Sequence, residues 1–302
     1  MQLKFPPSSV AHLMDEASRY LSPGSQTPKL DAEILLCFCL DRERTWLRTW
    51  PEQLVPEPLR DRFLSLVAQR ANGVPVAYLT GEKEFWSRSF RVKPGVLVPR
   101  PDTETLIEQA LLLIPVTTSF SVLDLGTGSG IIAITLAAER PNARIVAVDQ
   151  STQALEVARF NGQRHQSRNV ELRLGHWFSP IHPEESFNLI VSNPPYLAED
   201  DPHLGGDGIR HEPRSALVAG KAGLDDIEII ACEARSYLRP DGHLLLEHGH
   251  DQAPAVARLF SQQGYHDIRH HPDLSGHLRV TSGKAASAWT ARDKMAQSFP
   301  PH

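Results

Sequence analysis

A strand, a glycine-rich loop and a helix follow one another near the middle of the chain, and this succession limits the fold more than any other feature. The apolar residues 122–125 run into a loop from Gly126 to Gly130, and residues 131–140 have a helical composition that stops at Pro141. Glycines are needed where the backbone turns tightly and a ligand approaches the main chain closely. The succession therefore predicts a cofactor cradle in an α/β sheet.

The next strand indicates what the cradle binds. Residues 145–148 are apolar and end in Asp149, about 20 residues beyond the loop. A carboxylate there can accept hydrogen bonds from both hydroxyls of a ribose, so we expect an adenosine-type nucleoside. The loop does not separate nicotinamide dinucleotides from S-adenosylmethionine. The pattern of nicotinamide dinucleotide sites is Gly-x-Gly-x-x-Gly, with Ala allowed as the last residue. The sequence does not match this pattern from Gly126, but it matches from Gly128, with Ala133 as the last residue.

A four-residue turn, Asn193-Pro194-Pro195-Tyr196, follows the apolar run 187–191. Two successive prolines remove two backbone donors and restrict the residues before them to extended conformations. The amide oxygen of Asn193 and the carbonyl of Pro194 can then converge on one NH2 group, with the Tyr196 ring as a wall. An ordinary strand-ending turn is the alternative when the tetrapeptide is taken alone.

Asp124, just before the glycine loop, helps to separate the two cofactor classes. Its carboxylate is poorly placed for a pyrophosphate and well placed for the ammonium group of methionine. Together with the acceptor turn at Asn193, it favours methyl transfer over hydride transfer.

Nine strings spread over nearly the whole chain resemble one family. They are Asp31–Leu36, Pro75–Gly81, Glu84–Trp86, Val98–Glu104, Asp124–Gly130, Trp177–Ser179, Ser192–Tyr196, Glu212–Pro213 and Leu246–Gly249. In these strings the chain resembles the release factor glutamine methyltransferases, which modify the glutamine of the Gly-Gly-Gln motif in peptide chain release factors. Asn-Pro-Pro-Tyr is shared with DNA adenine methyltransferases and specifies amino methylation only, whereas the string from Arg100 to Thr103 points to release factors.

The resemblance implies a fold, a cofactor and a set of site residues. The fold would be α/β, with a seven-stranded Rossmann-like methyltransferase sheet, an N-terminal helical bundle and a β-hairpin linker. The cofactor, S-adenosyl-L-methionine, would be bound by Asp124, Gly126, Thr127, Gly128, Ser129, Gly130, Asp149, Trp177 and Asn193. The substrate glutamine would be bound by Asn193, Pro194, Pro195 and Tyr196, of which Asn193, Pro194 and Tyr196 would be catalytic.

Only the family resemblance leads us to expect that Trp177 lies against the adenine ring of the cofactor. Without it, a core aromatic after the strand 170–174 would be the better interpretation. His176 stands where many relatives have an acidic residue, which leaves a polar contact to the adenine from that position open.

Periodicity divides the chain into four parts. We predict a helical substrate-docking domain over residues 1–73, a hairpin linker over 74–98, the methyltransferase domain over 99–283 and a disordered tail over 284–302. The docking role is favoured by the resemblance. In the third part the last two strands follow each other without a helix, which predicts a mostly parallel sheet with an antiparallel edge.

Composition bears on partners and compartment. The 302 residues carry a formal charge of -5 without long runs of one sign, which argues against a nucleic-acid ligand. The first ten residues lack the apolar core of a signal peptide, and no stretch approaches a membrane-spanning length. We therefore expect a cytoplasmic protein with no membrane partner, and a monomer.

No metal site is predicted. Cys37, Cys39 and Cys232 suit neither a disulfide framework nor a zinc site. The histidine pairs at 248 and 250 and at 270 and 271 lack the spacing of familiar zinc helices.

Four different functions stay open at this point. A DNA adenine N6-methyltransferase would use the same turn, and a glutamine methyltransferase acting on a ribosomal protein would use the same chemistry. A nicotinamide dehydrogenase would use the glycine loop but leaves the Asn-Pro-Pro-Tyr turn unexplained. A non-catalytic scaffold is disfavoured by the intact loop and the intact Asn193.

Overall fold

The computed structural model describes residues 9–286. Its α-helices are α1 (Val10–Leu21), α2 (Pro28–Leu40), α3 (Arg44–Thr49), α4 (Glu57–Ala71), α5 (Val76–Thr80), α6 (Thr103–Leu113), α7 (Ile131–Glu139), α8 (Thr152–Arg164), α9 (Asp225–Tyr237) and α10 (Ala253–Gln262). Its strands are β1 (Glu82–Phe85), β2 (Arg88–Arg91), β3 (Phe120–Leu125), β4 (Ala143–Asp149), β5 (Val170–Leu174), β6 (Phe187–Ser192), β7 (Leu238–Glu247), β8 (His266–Pro272) and β9 (Leu278–Lys284). None of these helices is long and apolar enough to span a lipid bilayer.

The chain packs as two compact units. Of the described residues, one unit comprises 9–82 together with Val92–Pro94 and Pro202–Glu212. The other comprises Lys83–Arg91, Gly95–Asp201 and residues 213–286. A division in chain order does not reveal this arrangement, because residues 202–212 follow the Asn-Pro-Pro-Tyr turn in sequence and yet pack with the N-terminal helices. The predicted domain boundaries stay predictions.

The first unit is a helical bundle with its own core, as predicted. Helix α1 begins after Ser9, whose hydroxyl accepts a hydrogen bond from the backbone of His12, and it buries residues at helical spacing. Its inner residues pack with those of α2 and α4 around Leu36 and Phe63, both fully buried. The α2 helix is capped by the next residue, Asp41, which adopts the left-handed conformation.

Arg70 ties the segment 202–212 into this unit. Its guanidinium donates a hydrogen bond of 2.7 Å to Asp31 and pairs with both carboxylate oxygens of Asp207. Arg70 is 7% exposed. Breaking a buried ion pair by removing one partner costs about 3–5 kcal/mol, so this pairing fixes the segment on the bundle.

The second unit is built on a seven-stranded sheet with the order β5-β4-β3-β6-β7-β9-β8. Neighbours from β5 to β7 pair in parallel, whereas β9 runs antiparallel to both β7 and β8. Successive residues of β3, such as Val122 and Leu123, are fully buried in two different apolar clusters. Helices therefore cover both faces of the sheet, which explains the continuous apolar runs in the sequence. The predicted α/β fold with an antiparallel edge is confirmed.

Three local features differ from the sequence prediction or complete it. β7 begins at Leu238 and includes the turn-forming residues Pro240, Asp241 and Gly242, and its pairing with β6 shifts register between Phe187 and Leu189. The predicted hairpin is present as β1 and β2, with left-handed φ angles of 51° at Trp86 and 56° at Ser87 in its turn. Lys284 ends β9 and Ala285 is buried, and residues 287–302 of the predicted tail lie outside the described residues.

Candidate active site

The loops after four neighbouring parallel strands meet around one cavity in the second unit. It encloses about 1050 Å³ of empty space, part of it open to solvent. Its walls come from the loops after β3, β4, β5 and β6 and from the segment before α6. Residues of these walls include Gly126, Thr127, Gly128, Ser129, Asp149, Trp177, Asn193, Pro195, Arg100, Thr103 and Asp226. Open α/β sheets bind ligands at this edge, so the cavity is the candidate active site.

The three loop glycines have left-handed φ angles of 69°, 58° and 85° at Gly126, Gly128 and Gly130, where other residues would be strained. A Cβ atom on Gly126 would lie 3.3 Å from the Trp177 ring, and one on Gly130 would lie 2.7 Å from Ile134. A Cβ atom on Gly128 would meet nothing within 4 Å. The first and third glycines therefore allow close packing, and the second leaves its backbone open to the cavity.

Asp149 joins two elements of the cradle. One carboxylate oxygen accepts a 2.8 Å hydrogen bond from the backbone N–H of Gly128, and the other accepts one of 2.8 Å from Ser151 at the start of α8. Burial raises the pKa of Asp149, against these two hydrogen bonds. Each oxygen keeps a lone pair, so the carboxylate can still accept from ribose hydroxyls.

Asp124 lies beneath the glycine loop and is fully buried. Its Oδ2 accepts hydrogen bonds from the Thr127 hydroxyl at 2.6 Å and from the backbone of Ala133 at 3.2 Å. Its Oδ1 has no hydrogen-bond partner among the residues that the structure describes. Burial raises the pKa of Asp124 to about 7. An unpartnered buried carboxylate oxygen is costly, and a cation at the loop would stabilise it.

Trp177 is 8% exposed and has a left-handed φ of 44°. Its ring packs beside the backbone of Gly126, and its indole nitrogen has no partner at hydrogen-bonding geometry within residues 9–286. Asp226 on α9 lines the same cavity, and its pKa is raised by burial and lowered by the nearby Trp177 indole and His176. The structure thus brings an acidic side chain from another element close to the position where His176 replaces the expected acid.

The Asn-Pro-Pro-Tyr turn begins where β6 ends. Asn193 and Pro195 line the cavity. The Asn193 side-chain nitrogen donates a hydrogen bond of 3.1 Å to the hydroxyl of Thr103, the first residue of α6. Ser192, just before the turn, donates a 2.7 Å hydrogen bond to the carbonyl of Leu125 and so holds β6 to β3 at the mouth of the cavity.

Tyr196 is held by its backbone. Its carbonyl accepts a 2.9 Å hydrogen bond from the side chain of Gln252. A Cβ atom on Gly223 would lie 2.2 Å from the same carbonyl, so only glycine fits at residue 223. Burial raises the pKa of the Tyr196 hydroxyl, and the nearby Glu247 adds to this effect.

The predicted site residues therefore fall into two groups. Those that line the cavity are Gly126, Thr127, Gly128, Ser129, Asp149, Trp177, Asn193 and Pro195, whereas Asp124, Gly130, Pro194 and Tyr196 are not among its lining residues. Sequence reasoning did not assign a role to Thr103 or Asp226. Thr103 belongs to a string that the resemblance had singled out, whereas nothing in the sequence near Asp226 marks it as a site residue. Within residues 9–286 no group of three or more His, Cys, Asp or Glu side chains is arranged to hold a metal ion.

Known proteins resemble both parts of the chain. The sequence profile described as PrmC N-terminal domain matches residues 12–81, and the profile described as methyltransferase domain matches residues 117–290. Release factor glutamine methyltransferase of Pseudomonas aeruginosa is 47% identical over 87% of this chain and 95% of its own length. The proteins of the same name from Vibrio cholerae and Aliivibrio fischeri are 45% and 43% identical, each over 86% of this chain and over 91% and 92% of their own lengths.

The chain belongs to the release factor glutamine methyltransferase family. It is an S-adenosylmethionine-dependent protein-glutamine N-methyltransferase, and the predictions of family, enzyme class and cofactor are confirmed. The relatives favour neither a DNA adenine methyltransferase nor a glutamine methyltransferase of ribosomal proteins. The residues present in this chain fit the cofactor, because the unpartnered Oδ1 of Asp124 suits an ammonium group and the backbone at Gly128 is open to a ligand.

Proposed function

We propose that this enzyme methylates the side-chain amide nitrogen of the glutamine in the Gly-Gly-Gln motif of peptide chain release factors. The observation that carries the proposal is the position of Asn193, an amide side chain that lines the same cavity as the glycine loop. An amide acceptor beside a methyl-donor cradle suits a substrate that presents an NH2 group. The names of the relatives support the class of substrate. The motif itself is inferred from the family resemblance.

In the proposed arrangement, Asn193 Oδ1 and the Pro194 carbonyl accept the two N–H bonds of the substrate amide. S-adenosylmethionine supplies an electrophilic methyl group on a sulfonium centre. A carboxamide nitrogen is a weak nucleophile because its lone pair is delocalised into the carbonyl. Positioning that lone pair toward the methyl carbon supplies most of the rate. With the cofactor bound, the methyl group would pass from the sulfonium sulfur, which would keep the electron pair of the broken bond, to the substrate nitrogen, and that nitrogen would release one proton to solvent.

Three side chains are proposed to hold the cofactor. Asp149 accepts hydrogen bonds from the ribose hydroxyls, and Asp124 faces the ammonium group of the methionine part from beneath the loop. Trp177 packs against the adenine ring. The support is the burial of Asp124, the unpartnered Oδ1, and the position of Asp149 and Trp177 on the cavity wall.

Selectivity for glutamine follows from the same acceptors. A glutamate side chain would present only lone pairs to Asn193 and Pro194 and would be repelled, whereas glutamine donates two hydrogens. The Tyr196 ring packs near the amide and the sulfonium, where a ring face contributes about 0.5 to 2 kcal/mol of cation–π attraction.

The remaining expectations on partners are proposals as well. The helical unit is proposed to dock the release factor, and it exposes large apolar side chains such as Trp50 at 56% and Leu54 at 61%. A monomeric state, the absence of a nucleic-acid ligand and a cytoplasmic location stay predictions.

The test is methyl transfer from radiolabelled S-adenosylmethionine to a purified release factor, to its Gln→Ala variant at the Gly-Gly-Gln motif, and to duplex DNA in parallel. Label on the intact factor alone is the expected result. Equal label on the Gln→Ala variant would show that another residue is the target. Label on DNA would overturn the substrate class in favour of an adenine methyltransferase.

A further inference from the structure

The Asn193 amide is held by a buried hydroxyl group. Its Nδ2 donates to Thr103 Oγ1 over 3.1 Å, and Thr103 is fully buried where α6 begins. The nitrogen and oxygen of an amide lie on opposite sides of the same group, so a nitrogen turned toward Thr103 turns the oxygen away from it. Because Asn193 also lines the cavity, the oxygen is then available to a ligand.

A threonine hydroxyl by itself does not fix this orientation, since it can either accept from the amide nitrogen or donate to the amide oxygen. The carboxyl group of Glu247 removes the ambiguity. Glu247 is the last residue of β7, next in the chain to Leu246, which pairs with Ser192 beside Asn193. Glu247 is fully buried.

The hydroxyl groups of Thr103 and Tyr196 lie near enough to lower the pKa of the Glu247 carboxyl, but neither of its oxygens has a hydrogen-bond partner in residues 9–286. An ionised carboxylate can only accept hydrogen bonds. It therefore attracts the hydroxyl hydrogen of Thr103, which leaves the lone pairs of Thr103 for the Asn193 amide nitrogen.

We propose that Thr103 and Glu247 are positioning residues that hold the amide oxygen of Asn193 toward the substrate. The inference rests on the proposed function, in which Asn193 accepts a hydrogen bond from the substrate amide. Thr103 accepts a hydrogen bond from Asn193, and Asn193 would accept one from the substrate, while the negative charge of Glu247 favours a Thr103 hydroxyl whose hydrogen is turned away from Asn193. A flipped Asn193 amide would set a donor against the donors of the glutamine, and the amide would no longer be held for transfer.

The charges around Glu247 determine when it acts as an acceptor. Burial raises the pKa of Glu247 to about 7, Asp102 raises it further, and Arg279 and the hydroxyls of Thr103 and Tyr196 lower it. Arg279 is itself paired with Asp102 at 3.1 Å and with Asp273 at 3.1 Å. When Glu247 takes up a proton near neutral pH, it loses the negative charge that attracts the hydroxyl hydrogen of Thr103.

The first experiment compares three threonine variants in steady-state methylation of a purified release factor. Thr103→Val keeps the size of the side chain and removes its hydroxyl, and it should lower kcat by about tenfold or more, the equivalent of one lost hydrogen bond of about 1.4 kcal/mol. The Kd for S-adenosylmethionine should change by less than about twofold. Thr103→Ser restores the hydroxyl and should recover kcat to within about threefold of the wild type.

Thr135→Val is the matched control. Thr135 is a fully buried threonine on α7 whose hydroxyl has no hydrogen-bond partner among the described residues, so its loss should leave kcat within about twofold. Wild-type kcat in Thr103→Val, or a Thr103→Ser variant as slow as Thr103→Val, would overturn the role of Thr103. The Asn193→Ala variant separates the two proposals. If it is fully active, the proposed function of Asn193 is wrong. If it is inactive while Thr103→Val is active, only the positioning role of Thr103 is wrong.

The second experiment tests Glu247 through the pH profile of kcat. The wild type should lose activity as the pH falls below about 7, with an apparent pKa near that of Glu247. In Glu247→Gln this acid limb should be absent, because the carboxamide does not titrate. An acid limb that persists unchanged in the variant, or a wild-type profile without one, would remove Glu247 from the positioning role. The comparison also separates Glu247 from Asp124, whose pKa is likewise about 7.

Discussion

Replacing Glu247 with glutamine should change how the stability of the protein depends on pH. Burial raises the pKa of the Glu247 carboxyl from 4.5 to about 7. Between these values the folded protein keeps a proton that the unfolded chain has released. The contribution of this proton to the free energy of unfolding is fully present below about pH 4.5 and is lost as the pH rises through about 7. At about 1.4 kcal/mol for each unit of pKa, the full loss is about 3 kcal/mol.

Glutamine has nearly the same size as glutamate and stays neutral. The Glu247→Gln variant therefore does not lose this stability as the pH rises. The free energy of unfolding of the variant, relative to the wild type, should rise by about 2 to 3 kcal/mol between about pH 5 and about pH 8. Urea unfolding followed by circular dichroism measures it, and equal m-values would show that the same transition is compared. The raised pKa of Asp124 acts equally in both proteins and cancels in the difference.

Glu108→Gln is the control, since it removes an exposed carboxyl group from α6. Its free energy of unfolding relative to the wild type should be flat over the same range of pH. A flat difference for Glu247→Gln as well, or one that falls with rising pH, would refute the reasoning, because it would mean that Glu247 is not held in its neutral form by burial. Such a result would also weaken the pH test of its positioning role.

Three further predictions follow from the site. Asn193→Ala should lower kcat for a release factor by at least about a hundredfold and leave the Kd for S-adenosylmethionine within about threefold, measured by steady-state kinetics and calorimetry; full activity would contradict its role. Asp149→Ala should weaken binding of S-adenosylmethionine by about tenfold or more, and an unchanged Kd would remove it from the ribose role. Gly130→Ala should lower the free energy of unfolding by about 2 to 3 kcal/mol, because its Cβ atom would lie 2.7 Å from Ile134 at a φ of 85°. Gly264→Ala has a similar φ of 79° and open space, so it should cost only about 1 kcal/mol, and equal losses would exclude the steric explanation.

Local sequence was sufficient for the elements that carry the cofactor cradle. The apolar strand before Gly126 and the helix after Gly130 were predicted from periodicity and from the glycines, since these signals act over a few residues. The antiparallel edge followed from the two strands without a helix between them. The start of β7 at Leu238 has no local signal, because the turn-forming residues 240–242 are accommodated by a register shift that depends on the neighbouring strand.

One feature of the N-terminal unit cannot be predicted from neighbouring residues in the chain. Its helices were predicted from their apolar spacing, but the association of residues 202–212 with them was not. That association depends on the pairing of Arg70 with Asp207, which are 137 residues apart in the chain. Neither residue carries a local signal that distinguishes it from a solvated surface charge.

The sequence by itself determined the succession of helices and strands along the chain, the glycine loop and the residues offered to substrate and cofactor, because each is encoded by neighbours. Only the tertiary structure decided which way those groups face. The hydrogen bond from Asn193 to Thr103 spans 90 residues, and it exists because β6 ends beside the start of α6. In the same way, Asp226 lines the cavity from α9, and Glu247 lies buried at the end of β7. The surroundings of both carboxyl groups depend on the packing of the whole sheet.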